Sequence, residues 1–160
     1  MLLLMLALVE AFTKSIIANA EDVTLLISEA EKEYNIPKGL LLAIAEVESD
    51  LNPHAVGVEG RAITTRSKEE SSRAINHHLK SGSTNIDVGV MQVNYHWHGK
   101  SFNDIREMLE PSKNVAYAAK LLKTLYDKHH DWKKAVRHYH SATPEHHKKY
   151  SRKIILTWLK

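Results

Sequence analysis

The feature that most constrains this chain is the segment LLLAIAEV, residues 40–47, which is apolar at seven of its eight positions. A helix that is apolar on nearly every face has to be buried, so this segment must lie inside a folded domain. Pro37 suits the first position of a helix, and Asn52-Pro53 cannot continue one. We therefore predict a buried helix over residues 37–50.

Length and composition define the rest of the fold. A chain of 160 residues is long enough for one compact domain with a core and too short for two comfortable ones. Gly and Pro number only 6 and 4, which favours helices over turn-rich sheets. We predict a mainly α single domain. Its other helices are expected at about residues 23–34, 67–80, 112–129, 132–139 and from 144 onward, with extended pieces near 62–65 and 86–94.

Charge, cysteine and histidine content exclude several classes of function. The net charge of +3 is too small to indicate a nucleic-acid partner, and the basic run at residues 146–153 is more simply a solvated helix face. The chain has no cysteine, which excludes disulfides and cysteine-ligated metals. None of the 11 histidines has the i, i+4 spacing of a helical zinc pair. We expect no metal and no cofactor.

The first twenty residues indicate export. Residues 2–9 form an apolar run, and Ala18-Asn19-Ala20 matches the small-x-small pattern of a cleavage site. No Lys or Arg precedes the run, so a helix lying on the domain or in the membrane interface is the alternative. We predict a signal peptide over residues 1–20, a domain over 21–160, and a periplasmic or otherwise exported, envelope-located protein.

A glutamate near the end of the apolar helix is the candidate proton donor. Glu48 shares a helix face with Leu40, Leu41 and Ile44, and it lies in the last turn, where the helix dipole is negative. Desolvation and the dipole both disfavour the carboxylate, so we expect a raised pKa for Glu48. The alternative is a solvated glutamate at a helix end. Glu46 points about 200° away and is expected to be structural.

A second segment, DVGVMQVN at residues 87–94, follows about forty residues later and brings amide side chains. A protonated carboxylic acid in an apolar setting can give a proton to a leaving oxygen. Amides such as that of Gln92 both donate to and accept from sugar hydroxyls and acetamides. The pairing of the two segments therefore indicates an enzyme that acts on a polysaccharide.

Five motifs in order carry a resemblance to a known family. They are Glu48-Ser49-x-x-Asn52-Pro53-x-Ala55, Gly89-Val90-Met91-Gln92, Asn114 in a long helix, Tyr139-His140-Ser141-Ala142, and Tyr150. Together they resemble the soluble lytic transglycosylase (SLT) catalytic domain of the lysozyme superfamily, over residues 23–154. The resemblance implies a lysozyme-like fold with a small extended β segment beside the substrate cleft. Many family members have Tyr-Asn-x-Gly where this chain has residues 139–142, so no role of that asparagine or glycine is carried over.

The resemblance also implies a reaction. Enzymes of this family cleave the β-1,4 bond between N-acetylmuramic acid (MurNAc) and N-acetylglucosamine (GlcNAc) in peptidoglycan. No water is added, because the C6 hydroxyl of the muramic acid closes onto C1 and gives a 1,6-anhydro end. Glu48 matches the single catalytic acid and then base. The N-acetyl group of the substrate stabilises the anomeric centre, so that no second carboxylate is required.

The other motif residues are expected to bind substrate by the same carry-over. Ser49 is expected to hydrogen-bond Glu48 or the sugar, Tyr139 to orient Glu48 or the acetamide, and Tyr150 to shape the cleft. Asn114 is expected to brace the long helix, and His96, Trp97 and His98 to rim the groove. The substrate-binding residues predicted in this way are Ser49, Met91, Gln92, Asn94, Tyr139 and Tyr150.

Two other functions remain open at the level of sequence. If Asp87 or Glu59 faces Glu48, a second carboxylate could activate water and the enzyme would be a lysozyme-like hydrolase. A non-catalytic cell-wall-binding module with the same fold is the third possibility. The expected partners are peptidoglycan glycan strands and, as a candidate, an envelope-spanning secretion, pilus or flagellar assembly. We expect a monomer.

Overall fold

The computed structural model of this chain describes residues 23–140 and 144–160, without the side chains of 144–149. The predicted signal peptide, residues 1–20, lies outside the described residues. The part of the chain that is described contains eight α-helices and four short strands, which confirms the mainly α fold. The helices are α1 (residues 23–33), α2 (Leu40–Ser49), α3 (Lys68–Lys80), α4 (Tyr95–His98), α5 (Ile105–Met108), α6 (Pro111–His129), α7 (Trp132–His140) and α8 (Pro144–Trp158).

The apolar helix α2 is buried as its sequence demands. Leu40, Leu41 and Ile44 are 0% exposed, and α8 packs against this helix. The helix begins at Leu40 rather than at Pro37, because Gly39 at φ +82° turns the chain immediately before it. The prediction that Pro37 opens the helix was therefore wrong by one turn.

The first turn of α2 is held by a side chain from α1. Glu31 is 5% exposed, and its carboxylate accepts hydrogen bonds from the backbone N–H groups of Gly39 and Leu41 at 2.8 Å and of Leu42 at 3.3 Å. The first N–H groups of any helix lack partners within it. Glu31 supplies those partners and fixes the direction in which α2 leaves α1.

Helices α6, α7 and α8 form the other layer of the core. α6 packs on α7, α7 packs on α8, and α8 packs on α2, so that α8 joins this layer to the apolar helix. Helices α3 and α6 begin close to their predicted positions. Ser67 caps α3 by accepting from the Glu70 N–H, and Pro111 occupies the first turn of α6.

The four strands form one antiparallel sheet in the order β2-β1-β3-β4. They are β1 (Val56–Val58), β2 (Arg61–Ile63), β3 (Ile86–Val88) and β4 (Val93–Asn94). The predicted extended piece at 86–94 is two strands separated by a turn, and β1 was not predicted. Segments of two or three residues are too short for an alternating pattern to be visible in the sequence.

Within the described residues, no helix is both long enough and apolar enough to cross a membrane.

Candidate active site

A groove of about 590 Å³ lies between the helical layer and the sheet. Both sequence segments that indicated a polysaccharide enzyme contribute to it, since Glu48 ends α2 on one side and residues 85–98 form the other. The side chains that line the groove are Glu48, Asn85, Asp87, Gln92, Val93, Asn94, Trp97, His98, Leu121, His138, Tyr139 and His140.

Glu48 is a groove carboxyl whose pKa is raised into the neutral range. Burial raises the pKa of Glu48 from 4.5 to about 7, and the nearby charge of Asp87 raises it further. A hydrogen bond from Tyr150 and the charge of Lys153 oppose this shift without cancelling it. At neutral pH a large share of Glu48 is therefore protonated and can donate a proton.

Tyr150, rather than Tyr139, holds the acid. The Tyr150 hydroxyl donates a hydrogen bond to Glu48 Oε1 at 2.5 Å. Burial and the adjacent Glu48 charge raise the pKa of Tyr150 well above its usual value, so the hydroxyl stays protonated and remains a donor. Tyr150 was expected to help shape the cleft, and the structure adds a direct contact, because α8 packs against α2 and brings this hydroxyl onto the carboxyl.

Tyr139 takes a different role from the one predicted. Its hydroxyl donates to the Met91 carbonyl oxygen at 2.9 Å and therefore braces the turn between β3 and β4. The side chain still lines the groove beside Glu48. Burial, followed by the charges of Glu48 and Asp87, raises the pKa of Tyr139 well above its usual value. Tyr139 thus fixes the far wall of the groove through the backbone.

Met91 is buried in the core, and the half-buried Ser49 directs its hydroxyl to backbone carbonyls. The Ser49 hydroxyl lies 2.7 Å from the Val90 carbonyl oxygen and 3.2 Å from that of Ala45. Met91 is 0% exposed and belongs to the core. Both had been predicted as substrate-binding residues. Their positions show that they connect α2 to the β3–β4 turn.

The β3–β4 turn owes its shape to Gly89 and Asn114. Asn114 is fully buried. Its side chain accepts from the Met91 N–H and donates to the carbonyls of Val88 and Met108, each at 2.9 Å. Gly89 has φ +77°, and a Cβ there would lie 2.7 Å from the Asn114 amide. Only glycine permits both the turn and this close approach.

Gln92 and Asn94, both predicted to bind substrate, line the groove, and their amide donors already bond backbone carbonyls in Gln92 and the side chains of Asn85 and Asp87 in Asn94. Gln92 has φ +45°, an uncommon conformation for a side-chain-bearing residue. Its amide donates to the carbonyls of Gly89 at 2.9 Å and Ala55 at 3.2 Å. The Asn94 amide donates to Asp87 Oδ1 at 2.8 Å. Both side chains are thus pre-oriented before any ligand enters.

Asp87 is the second carboxylate of the groove. It lies on β3 directly opposite Asn94 on β4, and burial raises its pKa above the usual value. Gly57 on β1 is its other cross-strand partner, and a Cβ at Gly57 would lie 3.4 Å from the Asp87 carboxylate. Glu59, the other carboxylate considered from the sequence, is exposed near the β1–β2 turn and does not line the groove.

An aromatic side chain stands at the rim. Trp97 is 75% exposed although it lines the groove. The ring of His96 meets it edge-to-face at 4.7 Å, and His96 Nδ1 is in turn 2.9 Å from the Thr84 hydroxyl. An exposed indole fixed in this way is a surface on which a sugar ring can stack.

Three residues of the groove lining were not predicted from the sequence: Asn85, Leu121 and His138. Asn85 precedes β3 in a loop, and no motif distinguishes it from other polar loop residues.

Across residues 23–140 and 144–160, no cluster of three or more His, Asp or Glu side chains is placed to hold a metal ion.

Comparison with known proteins identifies the family. Residues 25–154 match the family described as the transglycosylase SLT domain. Protein IpgF of Shigella flexneri is 37% identical over 99 residues, which cover 59% of this chain and 50% of that protein. The type IV secretion system protein virB1 of Brucella abortus biovar 1 is 29% identical over 87 residues, covering 54% of this chain and 37% of that protein.

These matches span half or less of the length of each curated relative. No solved structure matches the chain. The family match, in contrast, covers most of the described fold and includes Glu48, the β3–β4 turn and Tyr150. The chain therefore belongs to the transglycosylase SLT domain family.

Proposed function

We propose that this chain is a lytic transglycosylase that cleaves the MurNAc-β-1,4-GlcNAc bond of peptidoglycan and leaves 1,6-anhydro-MurNAc ends. The observation that carries the proposal is the state of Glu48, a groove carboxyl with a pKa of about 7 that is held by Tyr150. Membership of the SLT family supports a glycan-cleaving activity of this type. The open groove and its pre-oriented amides fit a linear, acetamide-bearing glycan.

Glu48 acts twice in the proposed reaction. Protonated Glu48 first gives its proton to the glycosidic oxygen, and the bond from that oxygen to C1 of the muramic acid breaks. The N-acetyl group of the same sugar stabilises the electron-poor C1. The C6 hydroxyl oxygen then bonds to C1, and the Glu48 carboxylate takes the proton of that hydroxyl. The acid is regenerated, and no water is consumed.

The surroundings of Glu48 suit both halves of this cycle. A pKa near 7 makes the acid and the carboxylate forms of Glu48 nearly equal in free energy at neutral pH, so both forms that the reaction needs are accessible. Tyr150 donates to Glu48 and stays neutral because its own pKa is raised. The hydrogen bond stabilises the carboxylate in the step where it forms, and burial favours the acid in the step before.

Hydrolysis is the second candidate, and the position of Asp87 favours it. Asp87 lines the same groove, and its charge acts on Glu48. A second carboxylate across the glycosidic bond could activate water or stabilise the anomeric centre. The Asn94 amide is 2.8 Å from Asp87 Oδ1 and stabilises its charged form. The product would then be a reducing end rather than an anhydro end.

Product identity separates these reactions. The mature chain is incubated with purified peptidoglycan, and the released muropeptides are analysed by mass spectrometry. We expect 1,6-anhydro ends, which are lighter than reducing ends by one water. Glu48→Gln is expected to abolish release. Reducing ends from the wild type would overturn the transglycosylase proposal in favour of hydrolysis.

Two further variants identify the role of Asp87. Asp87→Asn is expected to keep the anhydro product, whereas a hydrolase would lose its product with this change. Glu59→Gln is the matched control, because it removes an exposed carboxylate outside the groove. A folded wild type that binds peptidoglycan in a sedimentation assay and releases no product would instead indicate the non-catalytic binding module.

The cellular setting is proposed on the same basis. The similarity to virB1, which is named as a type IV secretion system protein, supports an envelope secretion assembly as partner. The proposed location is the periplasm or another part of the cell envelope, reached through the signal peptide at residues 1–20. Cell fractionation with N-terminal sequencing tests export and cleavage, and light scattering after gel filtration tests the proposed monomer.

A further inference from the structure

The contact between Glu48 and Tyr150 has a third member that the proposed reaction does not use. His140, the last residue of α7, lies flat on the Tyr150 ring, with ring centroids 4.0 Å apart and an interplanar angle of 13°. Tyr150 in turn donates to Glu48. Three helices therefore each contribute one member of a continuous line of contact, His140 from α7, Tyr150 from α8 and Glu48 from α2.

A tyrosine hydroxyl at the end of a long side chain needs such a support. A small rotation of the ring carries the oxygen out of hydrogen-bonding distance, since the Oη–Oε1 separation is 2.5 Å. Face-to-face contact restricts the plane of the ring, and aromatic pairs attract each other in offset stacks. His140 is itself exposed at the groove and lines it. The stack thus stands between Tyr150 and the open side of the site.

We propose that His140 is a positioning residue whose ring holds the Tyr150 hydroxyl on the Glu48 carboxyl. The proposal deepens the proposed function. Its test by reaction rates rests on that function, whereas its test by NMR titration of the Glu48 carboxyl does not depend on activity. The support depends on the ring of His140, because an aliphatic or amide side chain at this position has no flat face with which to stack on Tyr150.

His140 has a second, separable effect through its charge. The charge of His140 acts on Asp87 from β3, while Asp87 and Lys153 from α8 act on Glu48, and the hydroxyls of Tyr139 and Tyr150 stay neutral. A protonated His140 lowers the pKa of Asp87. The ring face of His140 therefore acts on Glu48 through Tyr150, and its charge acts on Asp87 directly.

Substitutions at His140 separate the two effects. His140→Phe keeps a flat ring and removes the charge, whereas His140→Ala and His140→Gln remove the ring as well. The Tyr150 hydrogen bond lowers the pKa of Glu48, so loss of the support should raise this pKa further. We expect an upward shift of the Glu48 pKa in the Ala and Gln variants and none in the Phe variant. The pKa of Asp87 should rise in all three.

The direct test is a titration of ¹³C-labelled glutamate and aspartate carboxyls by NMR, with assignment from Glu48→Gln and Asp87→Asn. The exposed His77 on α3 gives the matched control, His77→Ala, which should leave both titrations unchanged. An unchanged Glu48 pKa in both His140→Ala and His140→Gln would overturn the proposal. An equal shift of the Glu48 pKa in His140→Phe and His140→Ala would also overturn the proposal, because it would assign the shift to loss of the charge rather than to loss of the ring.

The test by reaction rates measures release of products from peptidoglycan across pH. His140→Ala should lower kcat about threefold to tenfold with little change in KM, and should move the basic limb of the profile upward. His140→Phe should restore kcat. A wild type without any product would contradict the proposed function and leave the titration as the test of the support. A rise in KM alone would overturn the positioning role, since it would indicate a direct substrate contact.

Discussion

The two ends of α2 each meet a glutamate that is sheltered from water, and the two glutamates are held in opposite ways. At the first turn, Glu31 accepts three backbone N–H groups. In the last turn, Glu48 receives one hydrogen bond, from Tyr150, and burial raises its pKa to about 7. The partial charge of a helix is positive at its start and negative at its end.

The contrast explains why one carboxyl is structural and the other is suited to the acid role proposed for it. Donors and the positive end of the helix surround Glu31, so its contacts are satisfied by the fold alone. Glu48 has fewer donors and the negative end of the helix behind it, so it lacks equivalent compensation for burial. The same residue type therefore serves as a brace at one end and as an acid at the other.

The largest expected effect is on the activity of Glu48→Gln. Removing a positioned general acid lowers the rate by roughly 10²–10⁴-fold, and the substitution keeps the shape of the side chain. The measurement is the initial rate of muropeptide release relative to the wild type. Glu31→Gln at the other end should lower the rate only as far as it lowers the folded fraction. A similar loss of rate in fully folded Glu31→Gln and Glu48→Gln would contradict the assignment of a structural role to Glu31 and an acid role to Glu48.

The next effect is on the stability of Glu31→Ala. Three N–H groups at a sheltered helix start lose their partner, and we expect the free energy of unfolding to fall by about 3 kcal/mol. Urea denaturation followed by circular dichroism measures it. Glu33→Ala, an exposed glutamate on the same helix, is the control and should change stability by less than about 0.5 kcal/mol. If Glu31→Ala lowers the free energy of unfolding by less than about 1 kcal/mol, water can replace the hydrogen bonds of the Glu31 carboxylate.

An effect of similar size and opposite sign is expected for the stability of Glu48→Gln. The fold raises the pKa of Glu48 from 4.5 to about 7, so its stabilising contribution is present below pH 4.5 and is lost as pH rises through 7. Glutamine stays neutral and avoids that loss. We expect the variant to be more stable than the wild type by about 3 kcal/mol at pH 8 and equally stable at pH 4. Thermal unfolding of the wild type and the variant at the two pH values measures this difference. A variant that is no more stable than the wild type at pH 8 would contradict the raised pKa.

The smallest expected effect is that of Tyr150→Phe. The variant loses the hydroxyl that lowers the pKa of Glu48, so this pKa should rise. The basic limb of the pH–rate profile should move upward, and the rate at pH 7 should fall by about tenfold through loss of a hydrogen bond to the developing carboxylate. Tyr34→Phe, a tyrosine beyond the groove lining, is the control. A profile that moves downward would contradict the assigned hydrogen bond.

The sequence predicts the positions of the elements better than the directions of the side chains. The capping box at Ser67, Pro111 and the apolar run of α2 act locally, and each element begins close to where its signal stands. The raised pKa of Glu48 also follows from its apolar helix face. Which tyrosine hydroxyl reaches that carboxyl depends on how α7 and α8 cross α2, and no local pattern encodes this crossing.

Other differences have the same origin. Ser49 and Met91 stand in the predicted motifs, but Met91 is buried in the core and the Ser49 hydroxyl bonds backbone carbonyls, because the β3–β4 turn packs on α2. Glu31 gives no local signal, since its partners lie 8 to 11 residues further along the chain. The pairing becomes visible only when α1 and α2 are both in place.

The hydrogen bond from Tyr150 to Glu48 joins residues 102 positions apart in the chain. Contacts of such long separation close late, because the entropy of a large loop has to be overcome first. A partly folded chain in which α8 has not yet docked leaves Glu48 in water, where it is an ordinary ionised carboxylate and a poor proton donor. Docking of α8 therefore completes the surroundings that raise the pKa of Glu48, so the proposed acid is assembled only once α8 is in place.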